Sequence, residues 1–108
     1  MVLAAANQKI FISYIQKNMK QKDGFVLREV CGEYVIVGEG LGAIDFGKLL
    51  SLNETAAWLW KEAERQGEFT VDSLAEALCS EYNVTAEEAK ADVAELLNNW
   101  EQSGILVE

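Results

Sequence analysis

The sequence predicts a single α+β domain, a three-stranded antiparallel sheet followed by a three-helix cluster. Three observations carry this. The 108 residues leave room for one domain, and half of them are apolar, enough to fill a core. Short runs of β-branched and aromatic residues between residues 25 and 52 have strand character. From residue 53 onward, apolar residues recur at helical spacing behind three capping residues.

Phe25–Val30 and Glu33–Val37 are β-prone, with Cys31 and Gly32 between them. A tight hairpin turn needs positive φ, which Gly32 supplies. Gly38-Glu-Gly-Leu-Gly42 forms a loop, and a third strand follows within Ala43–Leu52, centred on Lys48–Leu52. The first helix starts at Asn53, with a Ser51/Glu54 capping box as the alternative, and Gly67 ends it. Its apolar stripe is Ala56, Leu59, Trp60 and Ala63. The second helix starts at Thr70 and carries Val71, Leu74, Ala75, Leu78 and Tyr82 on its stripe. The third starts at Thr85, with Glu88 three residues on, and carries Ala86, Ala89, Val93, Leu96, Leu97 and Trp100; Gly104 caps its end. Ile105–Val107 closes the chain as a short apolar tail or strand. A helix trio with a sheet on one side is a winged-helix-like layout.

Composition narrows function. The chain has no His, which excludes Ser-His-Asp and Cys-His catalysis and His-ligated metal sites. Its two cysteines stand 48 positions apart without a CxxC pair, so neither a zinc site nor a redox motif is expected, and both read as reduced thiols. No apolar run is long enough to span a membrane, and the N-terminus does not read as a secretory signal, which places the protein in the cytoplasm. No cofactor and no metal are expected, and a binding role is favoured over catalysis.

Several motifs dissolve on inspection. Gly38–Gly42 is glycine-rich, but strand-like residues follow it where a phosphate loop needs a helix N-terminus. Asp45-Phe46-Gly47 spells a kinase triplet in a chain far too short for a kinase. Glu88, Asp92 and Glu95 form a solvated helix face. Trp60 and Trp100 belong to the core, while Trp58 lies off the stripe, at the sheet edge or partly exposed.

The net charge of −9 is unevenly distributed. Residues 1–22 hold four lysines and no acid, +4, and residues 23–108 carry −13. The expected division is a basic N-terminal extension over 1–18 and a domain over 19–108. Within the extension, Ile10, Ile12 and Tyr14 alternate with Phe11, Ser13 and Ile15 in a strand-like pattern, either an element packed on the domain or a self-docked mimic of a peptide ligand. The third helix region, 85–103, is net −4. A winged-helix DNA-binding transcriptional regulator, the alternative reading, needs that helix basic, since phosphate contact supplies most of the affinity. Nucleic acid and membrane partners are therefore not expected. An extended peptide added to the edge of the third strand remains.

The runs Gly24–Val30, Gly32–Val37 and Leu52-Asn-Glu-Thr-Ala-Ala-Trp-Leu-Trp60, with Leu74–Tyr82 and Ala91–Leu106 behind them, resemble the PqqD family over about residues 20–107. The resemblance implies a winged-helix-type domain without catalysis. Such a domain binds the leader of a ribosomally made precursor peptide by strand addition and presents it to a modifying enzyme; in the founding case this is a radical-SAM enzyme of pyrroloquinoline quinone (PQQ) biosynthesis. Carried over by position, the peptide site is the strand Phe46, Lys48, Leu49, Leu50, Ser51 and Leu52, with Ala89, Asp92, Val93 and Leu96 on the third helix, Val93 and Leu96 being alternatively core. The sequence departs from the founding subgroup in having Glu64–Glu68 where that subgroup has an Asp-Gly pair, and in lacking its basic-aromatic opening. This implies a stand-alone peptide chaperone for another pathway, with a radical-SAM or lasso-type maturase as partner.

Overall fold

The structure is a computed structural model and describes residues 17–39 and 50–108. The elements in chain order are β1 Met19–Gln21, β2 Phe25–Val30, β3 Glu33–Gly38, β4 Leu50–Leu52, α1 Glu54–Gln66, β5 Glu68–Phe69, α2 Val71–Glu81, α3 Ala86–Gln102 and β6 Leu106–Val107. They form an α+β domain with two small antiparallel sheets. One has the order β2-β3-β4 and the other β5-β1-β6. The winged-helix likeness is loose, because the second sheet is threaded by the chain before and after the helices.

The β2–β3 hairpin has the expected two-residue turn. Both Cys31 (φ 52°) and Gly32 (φ 81°) take positive φ, as a type I′ turn requires, so a non-glycine residue shares a conformation anticipated for Gly32 alone. The third strand is seen as Leu50–Leu52. Its expected earlier part, the glycine loop from Gly40 onward and Asp45-Phe46-Gly47 lie outside the described residues, as does the alternating segment at 10–15.

The helices follow their caps. Asn53 Oδ1 accepts the Ala56 N–H at 2.8 Å, which makes Asn53 the cap of α1. Thr70 caps α2 in a reciprocal box with Ser73, each side chain accepting the other's backbone N–H at 2.9 Å. The Thr85 side chain accepts the Glu88 N–H. Two stripe positions differ from expectation. Tyr82 is the extended C-cap of α2, 38% exposed, with its ring edge-on to Trp58 at 5.6 Å. Ala86 is exposed in the first turn of α3.

All three helices pack around one core. Trp60 and Trp100 meet edge-to-face at 5.1 Å, both essentially fully buried, with Leu59, Leu74, Leu97 and Val93 around them. β1 and β6 complete this core, with Met19 buried completely and Ile105 and Leu106 nearly so. Lys17 ties the start of β1 to the end of α3 through Glu101 and to Glu108, each at 2.5 Å. These two carboxylates raise the Lys17 pKa above the ordinary lysine range.

Candidate peptide-binding edge

The geometry of the site starts from the hairpin. In a two-residue hairpin, Val30 and Glu33 form the closing hydrogen-bonded pair, and hydrogen-bonded pairs then recur at every second residue. The Glu39 N–H to Gly24 carbonyl bond falls in the same phase. Glu33, Val35 and Val37 therefore turn their backbone groups toward β2, and Tyr34 and Ile36 turn theirs toward β4. Tyr34 pairs with Leu52 and Ile36 with Leu50. Ser51, between them, must direct its N–H and C=O away from β3. Among the described residues no strand lies on that side of β4.

The side chains of β4 alternate accordingly. Leu50 and Leu52 are half-buried against the core and Ser51 is exposed. Asn53 then turns the chain into α1, whose Lys61 lies over the Tyr34 ring at 5.6 Å.

On α3, where the other expected site residues lie, residues three or four apart share a face. Ala89, Val93, Leu97 and Trp100 point fully into the core. On one flank of that stripe, Lys90 pairs with Asp72 of α2 at 3.3 Å, and Glu101 binds Lys17. The opposite flank, turned away from α2, carries exposed Glu88, Asp92 and Asn99 and half-buried Leu96. Leu96 packs on the same core cluster as Leu50 and Leu52.

The expected site residues thus divide into three sets. Leu50, Ser51 and Leu52 form the open edge, and Asp92 and Leu96 lie on the free flank of α3. Ala89 and Val93 have no exposed surface, because they are the centre of the stripe that anchors α3. Phe46, Lys48 and Leu49 lie outside the described residues.

Two features were not anticipated from the sequence. Trp58 and Tyr82 form an aromatic pair; Trp58 lies off the apolar stripe of α1, and nothing local in the sequence places the α2 C-cap beside it. A cleft of 490 Å³ lies between α2 and α3, lined by Ala75, Cys79, Ser80 and Ala86 with the charged Asp72, Glu76 and Lys90. Among the described residues, no group of three or more His, Cys, Asp or Glu side chains gathers as a metal site, and no helix is long and apolar enough to cross a membrane.

Comparison with known proteins agrees with this architecture. No curated protein matches the sequence. Among solved structures, TbiB1 in complex with the TbiA(beta) leader peptide is similar, at 20% identity and a TM-score of 0.62, covering 81% of this chain and 93% of that one. A lasso peptide synthetase B1 complexed with the leader peptide is also 20% identical with a TM-score of 0.62, over 83% of this chain and 98% of that one. The PqqD truncation of Methylobacterium extorquens PqqCD, described as a stand-alone recognition element for ribosomally synthesised and post-translationally modified peptides, gives a TM-score of 0.67 at 19% identity, over 87% of this chain and 93% of that one. The family model for coenzyme PQQ synthesis protein D matches residues 33–106, most of the chain, so the protein belongs to the PqqD family.

Proposed function

We propose that this protein is a non-catalytic cytoplasmic recognition domain. It captures the leader of a ribosomally synthesised precursor peptide as an added strand on β4 and presents it to a modifying enzyme of the radical-SAM or lasso type. One observation carries the reading. Ser51, between half-buried Leu50 and Leu52, offers an outward N–H and C=O on a side of β4 where no strand lies among the described residues. Family membership and the leader-bound relatives support it.

Magnitudes divide the labour within such a site. Two backbone hydrogen bonds at Ser51 are worth about 1–3 kcal/mol together. Micromolar affinity needs about 8 kcal/mol. Apolar burial must supply the rest, together with the several kcal/mol that association itself costs. The edge therefore sets direction and register, and the leucines set affinity.

The test is titration of the isotope-labelled full chain with a synthetic leader of the precursor encoded beside this gene. Amide shifts at Leu50–Leu52 and on the Asp92–Leu96 flank are expected. Saturating leader with no change at Leu50–Leu52 would sink the assignment.

A further inference from the structure

The sheet has a notch where β4 ends. β3 reaches back to Glu33, but its partner strand stops at Leu52, opposite Tyr34, and Asn53 turns the chain into α1. The space left there is 420 Å³, lined by Glu33 and Tyr34 on the hairpin side and by Ser51, Asn53 and Glu54 on the other. Ser51 is the residue whose N–H and C=O face away from β3, so the notch and the peptide edge share a residue. Val35 pairs with Ser51, and alternation along β3 puts Glu33 on that same face of the sheet. Asn53 is still extended, with φ −77° and ψ 176°, so a strand paired at Ser51 runs on past the notch.

Its electrostatics are one-sided. Glu33 and Glu54 are both exposed, and among the described residues neither forms an ion pair. Arg28, on the same sheet face through its pairing with Val35, is held by Glu39. Lys61 lies over the Tyr34 ring. Glu54 stands in the first turn of α1, where the helix dipole favours an anion. An acidic group entering the notch would meet two like charges, whereas a cation would meet two opposite ones.

We propose that this notch reads a basic side chain of the leader, a Lys or Arg two places along from the residue that pairs with Ser51. The inference rests on the peptide-binding reading of β4 and adds a substrate class to it, leaders that are basic at that position. The spacing follows from the pleat, because residues two apart on an added strand share a face, and the one beside Asn53 sits at the notch. An arginine fork can address both carboxylates, and a lysine meets them as a point charge. Leu50 and Leu52 accept apolar side chains without distinguishing leaders, so the charged notch supplies the discrimination.

The probe is the synthetic leader titrated above, with each of its Lys and Arg residues replaced in turn by norleucine. Its affinity is measured by calorimetry for the full chain and for Glu33→Gln, Glu54→Gln and Glu64→Gln. Glu64 is exposed on α1 and lines no part of the notch, so its variant controls for net charge. All three replacements are isosteric and exposed, and thermal melts confirm that folding is kept. At one leader position the norleucine form, and with the parent leader Glu33→Gln and Glu54→Gln, are each expected to bind about fivefold more weakly at low salt. The losses at that position do not add when leader and protein changes are combined, and about 0.5 M salt removes most of them. Glu64→Gln is expected to bind as the parent does. Absent or fully additive losses, equal weakening by Glu64→Gln, or a leader that shifts Leu50–Leu52 yet contains no Lys or Arg would overturn the notch and leave the edge in place. A leader that shifts no amide of Leu50–Leu52 in any form overturns the edge and the notch with it.

Discussion

At the scale of single residues, the two buried tryptophans dominate. Trp60 and Trp100 are 1% and 0% exposed and touch edge-to-face. Truncating a buried Trp costs about 3–5 kcal/mol, a large share of the ~5–15 kcal/mol that holds a domain together. Trp100→Ala is therefore expected to lower the denaturant midpoint steeply or prevent folding, as urea titration followed by circular dichroism will read. A milder residue-scale effect concerns Glu62. The Arg65 guanidinium hydrogen-bonds both carboxylate oxygens of Glu62 and holds its pKa below the ordinary value. A lowered folded-state pKa means that this contribution is present above the ordinary carboxylate range and is lost as pH falls through the depressed value. Arg65→Ala should return the Glu62 carboxyl toward its ordinary pKa, measurable by carboxyl carbon chemical shift against pH, and should leave stability near neutral pH little changed because the arginine is well exposed.

At the scale of elements, the caps and the edge strand make separate predictions. Thr70 closes a reciprocal box with Ser73 and sits half-buried, whereas Thr85 is exposed and accepts a single bond. Thr70→Ala should cost about 1–2 kcal/mol and Thr85→Ala less, by thermal melts of the two variants. On β4, proline discriminates binding from folding. The Ser51 N–H faces outward, so Ser51→Pro should keep the helical signal and lose leader binding by more than tenfold. The Leu50 N–H faces Ile36 in the ladder, so Leu50→Pro should also destabilise the sheet. The same contrast explains which elements could be read in advance. Helix caps and stripes are local, so α1, α2 and α3 follow from Asn53, Thr70, Thr85 and the spacing of apolar residues. The hairpin follows from Cys31-Gly32. By contrast, β1 and β5 are two or three residues long and too short for any periodicity, and Ile105–Val107 could be read only as a tail or a strand; Met19 pairing with Phe69 and Gln21 with Leu106 make all three strands. The helix side of the candidate site was partly legible for a related reason. The spacing that puts Ala89 and Val93 beside Asp92 and Leu96 does not say which flank α2 covers; only the folded structure does, where the Lys90–Asp72 pair marks the covered flank.

At the scale of the whole molecule, the acidic domain and its basic beginning are joined at Lys17. With Glu101 and Glu108 near it, the folded-state pKa of Lys17 is raised, so its contribution is complete at neutral pH and is lost only as pH rises beyond the ordinary lysine range. Lys17→Ala is expected to cost at most about 1 kcal/mol, with the difference from the parent shrinking as salt is added. The clamp also defines where the chain can be shortened. A form starting at Lys17 keeps the β1 register, while one starting at Lys20 removes Met19, a completely buried core side chain.

The placement of β1 between β5 and β6 also orders events during synthesis. The first strand to leave the ribosome among the described elements has one partner near residue 68 and the other at residues 106–107. Met19 can meet Phe69 midway through translation, but the sheet and the core under Trp100 close only after Leu106 has emerged. Contacts this distant in sequence slow folding. Until then the nascent chain displays β1 with one side open, next to apolar surface that Ile105 and Leu106 will cover. Force-sensitive arrest assays on progressively longer nascent chains should show the main folding pull only once residue 106 clears the exit tunnel.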